Sequence, residues 1–195
     1  MRRIVTLAAV LLVLLQVLLV MVSWLLSATM VSGVRPLLSA EGLRWFAGHF
    51  SMMLLTPQLS WLLLLSMSWG CLQSSGLLSV FSGQYNYRQR LGLRVVAVLV
   101  ALALVVVLLL TVTPHAVLLS ATGGLWPSPF SAALIPLLAF LVAVISSSYG
   151  LIVRRFKTLQ ELVFSFVSGL AQASPLIFLY VMAVVLFRSV VFVFF

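Results

Sequence analysis

The charges of this chain are most informative where they are missing. Residues 4–34, 45–87, 95–153 and 162–187 contain no Asp, Glu, Lys or Arg, in runs of 31, 43, 59 and 26 residues. A helix crossing the hydrocarbon core needs about 20 apolar residues, so a short run fits one span and a longer one can add interfacial structure or a second span. Of 195 residues, 64% are apolar and 7% charged. A water-soluble fold could not hide that much apolar surface, which excludes a soluble catalytic domain and makes the bilayer the solvent.

The remaining composition closes off other classes. One cysteine, Cys71, cannot form an intramolecular disulfide, and its setting between Gly70 and Leu72 suits a buried thiol. One Cys and two distant His supply no metal cluster, so no metal and no cofactor is expected. A net charge of +9 comes from basic residues scattered among apolar stretches. That pattern suits lipid headgroups and argues against nucleic acid. Met1-Arg2-Arg3 before an apolar run is reminiscent of a signal peptide, but Ile4 to Leu26 is too long for one and reads as a retained helix.

The expected fold is an all-α integral membrane protein, a single membrane domain over residues 1–195, with about five transmembrane helices plus two interfacial amphipathic helices. The spans are placed near 4–26, 57–80, 93–112, 131–153 and 171–192, with residues 81–94 as a cytoplasmic loop. Breaks fall at Ser32-Gly33-Val34-Arg35-Pro36, at Ser82 to Asn86, at Thr113-Pro114, and at Gly123-Gly124 with Pro127-Ser128-Pro129. Arg2, Arg3, Arg88, Arg90, Arg94, Arg154, Arg155 and Lys157 then share one side, leaving Arg35, Arg44 and Arg188 for the other. The positive-inside rule makes the first side cytoplasmic, with the N-terminus inside and the C-terminus outside, in a bacterial inner membrane.

The first interfacial segment is capped by Ser39, carries Glu41 in its first turn, and sets Leu43, Phe46, Phe50 and Met53 opposite Arg44 and His49. The second sets Phe156, Leu159, Leu162, Val163, Phe166 and Val167 against Lys157, Thr158, Gln160, Glu161 and Ser165. It is expected to lie along the inner surface and to feed the last span through Gly169.

Two segments resemble the p-aminobenzoyl-glutamate transporter family, the AbgT family. Pro36-Leu37-Leu38-Ser39-Ala40-Glu41-Gly42-Leu43-Arg44-Trp45, followed by Ser74-Ser75-Gly76-Leu77, resembles that family's LLS-x-EGLRW stretch and later E-x-SGL pattern. Ser128-Pro129-Phe130, Ile135-Pro136, Ser148-Tyr149-Gly150 and the helix after Lys157 resemble its SPF, VP and IPG-x-AYG run and its charged amphipathic helix. The EGLRW string is moderately specific; the apolar stretches carry almost no weight. The resemblance implies a transporter-type fold and, at full length, ion-coupled movement of a carboxylated solute through re-entrant hairpins and broken helices.

Departures from the pattern shape the expectation. The chain is less than half the family's usual length, and residues 81–94 stand where a hairpin region is expected. The second hairpin, after the last helix, is expected to be missing too. Gln73 replaces an acidic residue before the SGL pattern, and Ile145-Ser146 replace the Pro-Gly before Tyr149-Gly150. Proline and glycine break a helix and free backbone groups for an ion or substrate. Without them, a continuous structural helix is expected here.

No catalytic constellation is present, since the chain has two acidic residues and no nucleophile with an adjacent base; the chain reads as a non-enzyme. Gln73, Ser146, Ser147, Ser148 and Gln172 are candidates for helix packing or for lining a solute passage. Glu41, Arg44, Arg154, Arg155 and Lys157 are candidates for the interface and for lipid contact. Glu161, four residues after Lys157 in the less favourable order for an ion pair, reads as surface solvation, and His49 and His115 as solvated. Gln16, Gln73 and Gln172 in apolar spans should each face protein, because an unpaired amide in lipid costs several kcal/mol. Another membrane protein or further copies of the chain would meet that need. The function expected is therefore that of a reduced AbgT-like scaffold or accessory subunit. The alternative is a homo-oligomeric transporter of p-aminobenzoyl-glutamate-like or other small carboxylated solutes. A membrane-anchored assembly factor without a solute reads the same way in sequence.

Overall fold

A computed structural model describes residues 2–29, 33–82, 86–112 and 129–195. Expectations resting on Ser32, on Gly83 to Tyr85, and on Thr113 to Ser128, His115 among them, lie outside these residues. The described residues form six α-helices: α1 (Arg2–Ala28), α2 (Ala40–Leu54), α3 (Pro57–Ser75), α4 (Tyr87–Val112), α5 (Pro129–Ile152) and α6 (Leu159–Phe194). A 3-10 turn, Leu77–Ser82, follows α3. The chain is an all-α membrane protein: α1, α4, α5 and α6 are long and apolar enough to cross a bilayer. Helices α2 and α3 meet that requirement only as a pair, bent by 45° where they meet.

The ends of these helices follow from local chemistry. Pro57 and Pro129 occupy first helical positions, where a missing N–H costs nothing. The Ser39 hydroxyl accepts from the Gly42 N–H at 3.0 Å and caps α2. At the end of α1 the Thr29 hydroxyl donates to the Leu26 carbonyl at 2.9 Å.

Two compact units share the chain. The first comprises residues 1–60 and 174–195. Its core is Leu19, Leu37, Phe192 and Val193, with Trp45 packed against it. The Trp45 ring stacks on Phe192 at 4.1 Å, and the Arg35 N–H donates to the Val193 carbonyl at 3.1 Å. Polar atoms link the same elements. Gln16 Nε2 donates to Ser189 Oγ at 3.2 Å, the Leu37 N–H donates to Ser23 Oγ at 3.4 Å, and Thr56 and Tyr180 share a hydroxyl hydrogen bond of 2.6 Å.

The second unit comprises residues 61–173. Here α3 and α6 cross backbone to backbone, because a methyl group added at Gly70 would fall 2.5 Å from both the Gly169 Cα and the Ser165 carbonyl oxygen. Ser66 and Gly70 on α3 face Ser165 and Gly169 on α6, two pairs spaced four residues apart. That is the small-residue spacing by which helices approach closely in lipid. Elsewhere α4 packs on α5, with Gly92 against the Tyr149 ring.

Burial differs from that of a water-soluble bundle, because serines share the interior with the apolar residues while many large apolar side chains stay outside. Buried positions include Ser23, Ser66, Ser68, Ser75, Ser146, Ser165 and Ser189 together with Cys71 and Ala139, while Leu64, Leu65, Trp69, Leu104, Leu108 and Phe140 are exposed. Lipid is as apolar as leucine, so only close backbone approach and hydrogen bonding favour the inside. The stripe expected after Lys157 follows the same physics. Leu159, Val163 and Val167 are exposed, whereas Ser165 and Gly169 are buried. No break falls at Gly169 either, since amphipathic segment and last span form the single 36-residue α6.

Two further differences concern boundaries. The 57–80 span is helical only to Ser75 and joins α2 across the 45° bend instead of standing alone. Helix α4 begins at Tyr87, so Arg88, Arg90 and Arg94 ride on its first two turns and not in a loop.

Candidate functional site

The polar residues singled out by sequence gather in the second unit around the end of α5. Ser146 is fully buried and its hydroxyl has no partner; Tyr149 is 1% exposed and its hydroxyl also lacks one. Ser147 donates to the Ala143 carbonyl at 2.6 Å and lies 3.4 Å from the Cys71 sulfur. Cys71 is a buried free thiol. Most neighbouring hydroxyls turn back on their own helices, as Ser66 does to Leu63, Ser75 to Leu72 and Ser165 to Leu162. Such bonds satisfy a polar side chain without an outside ligand.

Helix α5 runs without interruption through Ser146-Ser147-Ser148 to Ile152. It ends in a Schellman arrangement: the Arg154 N–H donates to Leu151 O at 3.1 Å and the Arg155 N–H to Gly150 O at 2.8 Å. The residue at the left-handed position is Arg154, with φ of 60°, where glycine is the usual choice. The Phe156 ring covers Gly150 so closely that no side chain fits between them.

Beyond this cap lies an open groove of about 740 Å³, lined among others by Ser74, Arg155, Thr158, Glu161 and Ser168. Its acidic member is a helix cap. The Glu161 carboxylate accepts from the Lys157 N–H at 2.6 Å, while Thr158 Oγ1 accepts from the Glu161 N–H at 3.3 Å. This is a capping box, with the carboxylate reaching one residue further back than usual. Its signal, Thr158-x-x-Glu161 before an apolar run, stands in the sequence, so Glu161 does more than solvate the surface. Ser74 and Ser168, which also line the groove, carried no such signal.

The other sequence candidates are dispersed. Gln73 and Gln172 are exposed, not turned into the chain, whereas Gln16 is partly buried with its Oε1 unpartnered. Ser148 is half-buried. Glu41 and Arg44 on α2 are exposed, as are Arg154, Arg155 and Lys157. Among the described residues no three His, Cys, Asp or Glu gather as metal ligands.

Several membrane-long helices, with α3 and α6 packed through small residues, define a polytopic membrane protein. The sequence model described as "AbgT putative transporter family" matches residues 81–193, more than half of the chain. The chain belongs to the AbgT transporter family. The matched part contains α4, α5 and all of α6 but its last residue; the Glu41-Gly42-Leu43-Arg44-Trp45 string lies before it. No curated protein and no solved structure matches the chain.

Proposed function

We propose that this AbgT-family chain is a scaffold or accessory subunit of a larger inner-membrane assembly, with its N-terminus cytoplasmic, and that it neither transports alone nor carries out a reaction. The carrying observation is Gln172, exposed on a membrane-long helix thirteen positions past its first residue. An amide facing lipid lacks partners at a cost of several kcal/mol. A neighbouring protein removes that cost. The self-satisfied Ser66, Ser75 and Ser165 support the same reading, since their hydroxyls are already bonded within their own helices.

A photo-crosslinking residue placed at position 172 in native membranes tests this directly. A discrete adduct with a different protein is expected. An adduct only with a second copy would favour the other reading, and lipid adducts alone would overturn the proposal.

That second reading, a homo-oligomeric transporter of small carboxylated solutes, is favoured by one feature. Helices α2 and α3 are bent by 45° at Leu55-Thr56, as a broken span or a re-entrant loop would be. Discontinuous helices bring backbone groups to substrate sites in transporters. Here the Leu55 N–H donates to Met52 O at 3.3 Å and the Thr56 N–H to Leu54 O at 2.8 Å, so the break satisfies part of its own backbone.

A further inference from the structure

In the first unit, α2 sets Trp45, His49, Met52 and Met53 on one face at positions i, i+4, i+7 and i+8. With Arg188 of α6 they line an open pocket of about 210 Å³. Its floor is apolar, Met53 being 3% exposed. The Trp45 ring stacks with Phe192 at 4.1 Å and with His49 at 6.1 Å, and the Arg35 guanidinium stands 6.0 Å over Phe192. Tryptophan at a span's end sits at headgroup depth.

Arg188 is exposed within the last two turns of a membrane-long helix. A guanidinium there needs an anion or water. The chain offers two acidic residues to eleven basic ones, and the Glu161 carboxylate is engaged in capping α6. His49 completes the set: its Nδ1–H donates to the Trp45 carbonyl at 3.1 Å, which leaves Nε2 to accept from an outside hydroxyl. A fork of N–H donors, a hydroxyl acceptor and an apolar floor match a phosphodiester that bears a hydroxylated headgroup above acyl chains.

We propose that this pocket binds the headgroup of a phosphatidylglycerol-type lipid, its phosphate on Arg188 and a headgroup hydroxyl on His49 Nε2. The full chain, exchanged into detergent with phosphatidylglycerol, phosphatidylcholine or oleate, is followed by native mass spectrometry of retained ligand. Wild type is expected to retain phosphatidylglycerol above the other two. Arg188→Gln is expected to lower that retention about tenfold, the scale of one charge-assisted pair. His49→Ala should reduce the preference over phosphatidylcholine, which has no hydroxyl to donate, and leave the part that rests on net charge. Where Arg188→Gln does not fold, Arg188→Lys replaces it, and a smaller loss is expected because a point charge cannot form the fork. Equal retention by wild type and the Arg188 variant overturns the assignment. So does a preference for oleate, or displacement of the lipid by inorganic phosphate, which would mark a site for free anions.

Discussion

Gly70 and Gly169 meet across the crossing of α3 and α6 so closely that neither could carry a side chain: a methyl group on Gly169 would lie 2.8 Å from the Gly70 backbone nitrogen and Cα. The neighbours are backbone atoms, which cannot swing aside as a side chain could. Gly70→Ala and Gly169→Ala are each predicted to destabilise the protein by about 1–3 kcal/mol. Thermal unfolding in detergent checks this, and unchanged midpoints for both variants would mean that the helices do not cross here.

A hydrogen bond between Gln16 and Ser189 gives an asymmetric prediction. Gln16 Nε2 donates to Ser189 Oγ at 3.2 Å while Gln16 Oε1 is buried without a partner. Ser189→Ala strands the whole amide and should cost about 1–3 kcal/mol. Gln16→Leu removes the stranded atom, and Ser189 can turn to its own helix, so the change should lie within about 1 kcal/mol. Chemical unfolding of the two variants side by side checks the order; a costlier Gln16→Leu would contradict it.

Arg154 holds a backbone conformation, φ of 60°, that disfavours any side chain. Arg154→Gly is predicted to stabilise the fold by about 1 kcal/mol. A lowered melting point for Arg154→Gly would show that the guanidinium contributes more than the strained backbone costs.

Exposure of Gln172 predicts a separation of folding from assembly. Gln172→Leu should leave insertion and monomer stability unchanged, because its amide is exposed in this chain, yet reduce co-purification with the proposed partner. Blue-native electrophoresis of membrane extracts checks this. A variant that fails to insert would place Gln172 in the fold itself.

How far sequence reaches here depends on which solvent its pattern is read against. The spans of α1 and α5 follow from length and hydropathy alone, and the family from short strings such as Ser148-Tyr149-Gly150. The inward faces do not. After Lys157 the periodicity does not mark Ser165 and Gly169 as a packing face behind the membrane-facing stripe of Leu159, Val163 and Val167. In lipid those residues face out, and Ser165 and Gly169 pack. The meeting of Gly70 with Gly169 requires partners 99 residues apart, and no local period specifies which small-residue pairs meet. Glu161 is the opposite case. Its capping role is readable from Thr158-x-x-Glu161 before an apolar run.

A transporter-family chain that serves as a scaffold moves no solute by itself. The most direct measurement is uptake of radiolabelled p-aminobenzoyl-glutamate by proteoliposomes containing only this purified chain, under imposed proton and sodium gradients. No saturable uptake above empty liposomes is predicted, with insertion verified by protease protection. Saturable, gradient-dependent uptake by the chain alone would contradict the account and establish it as a transporter.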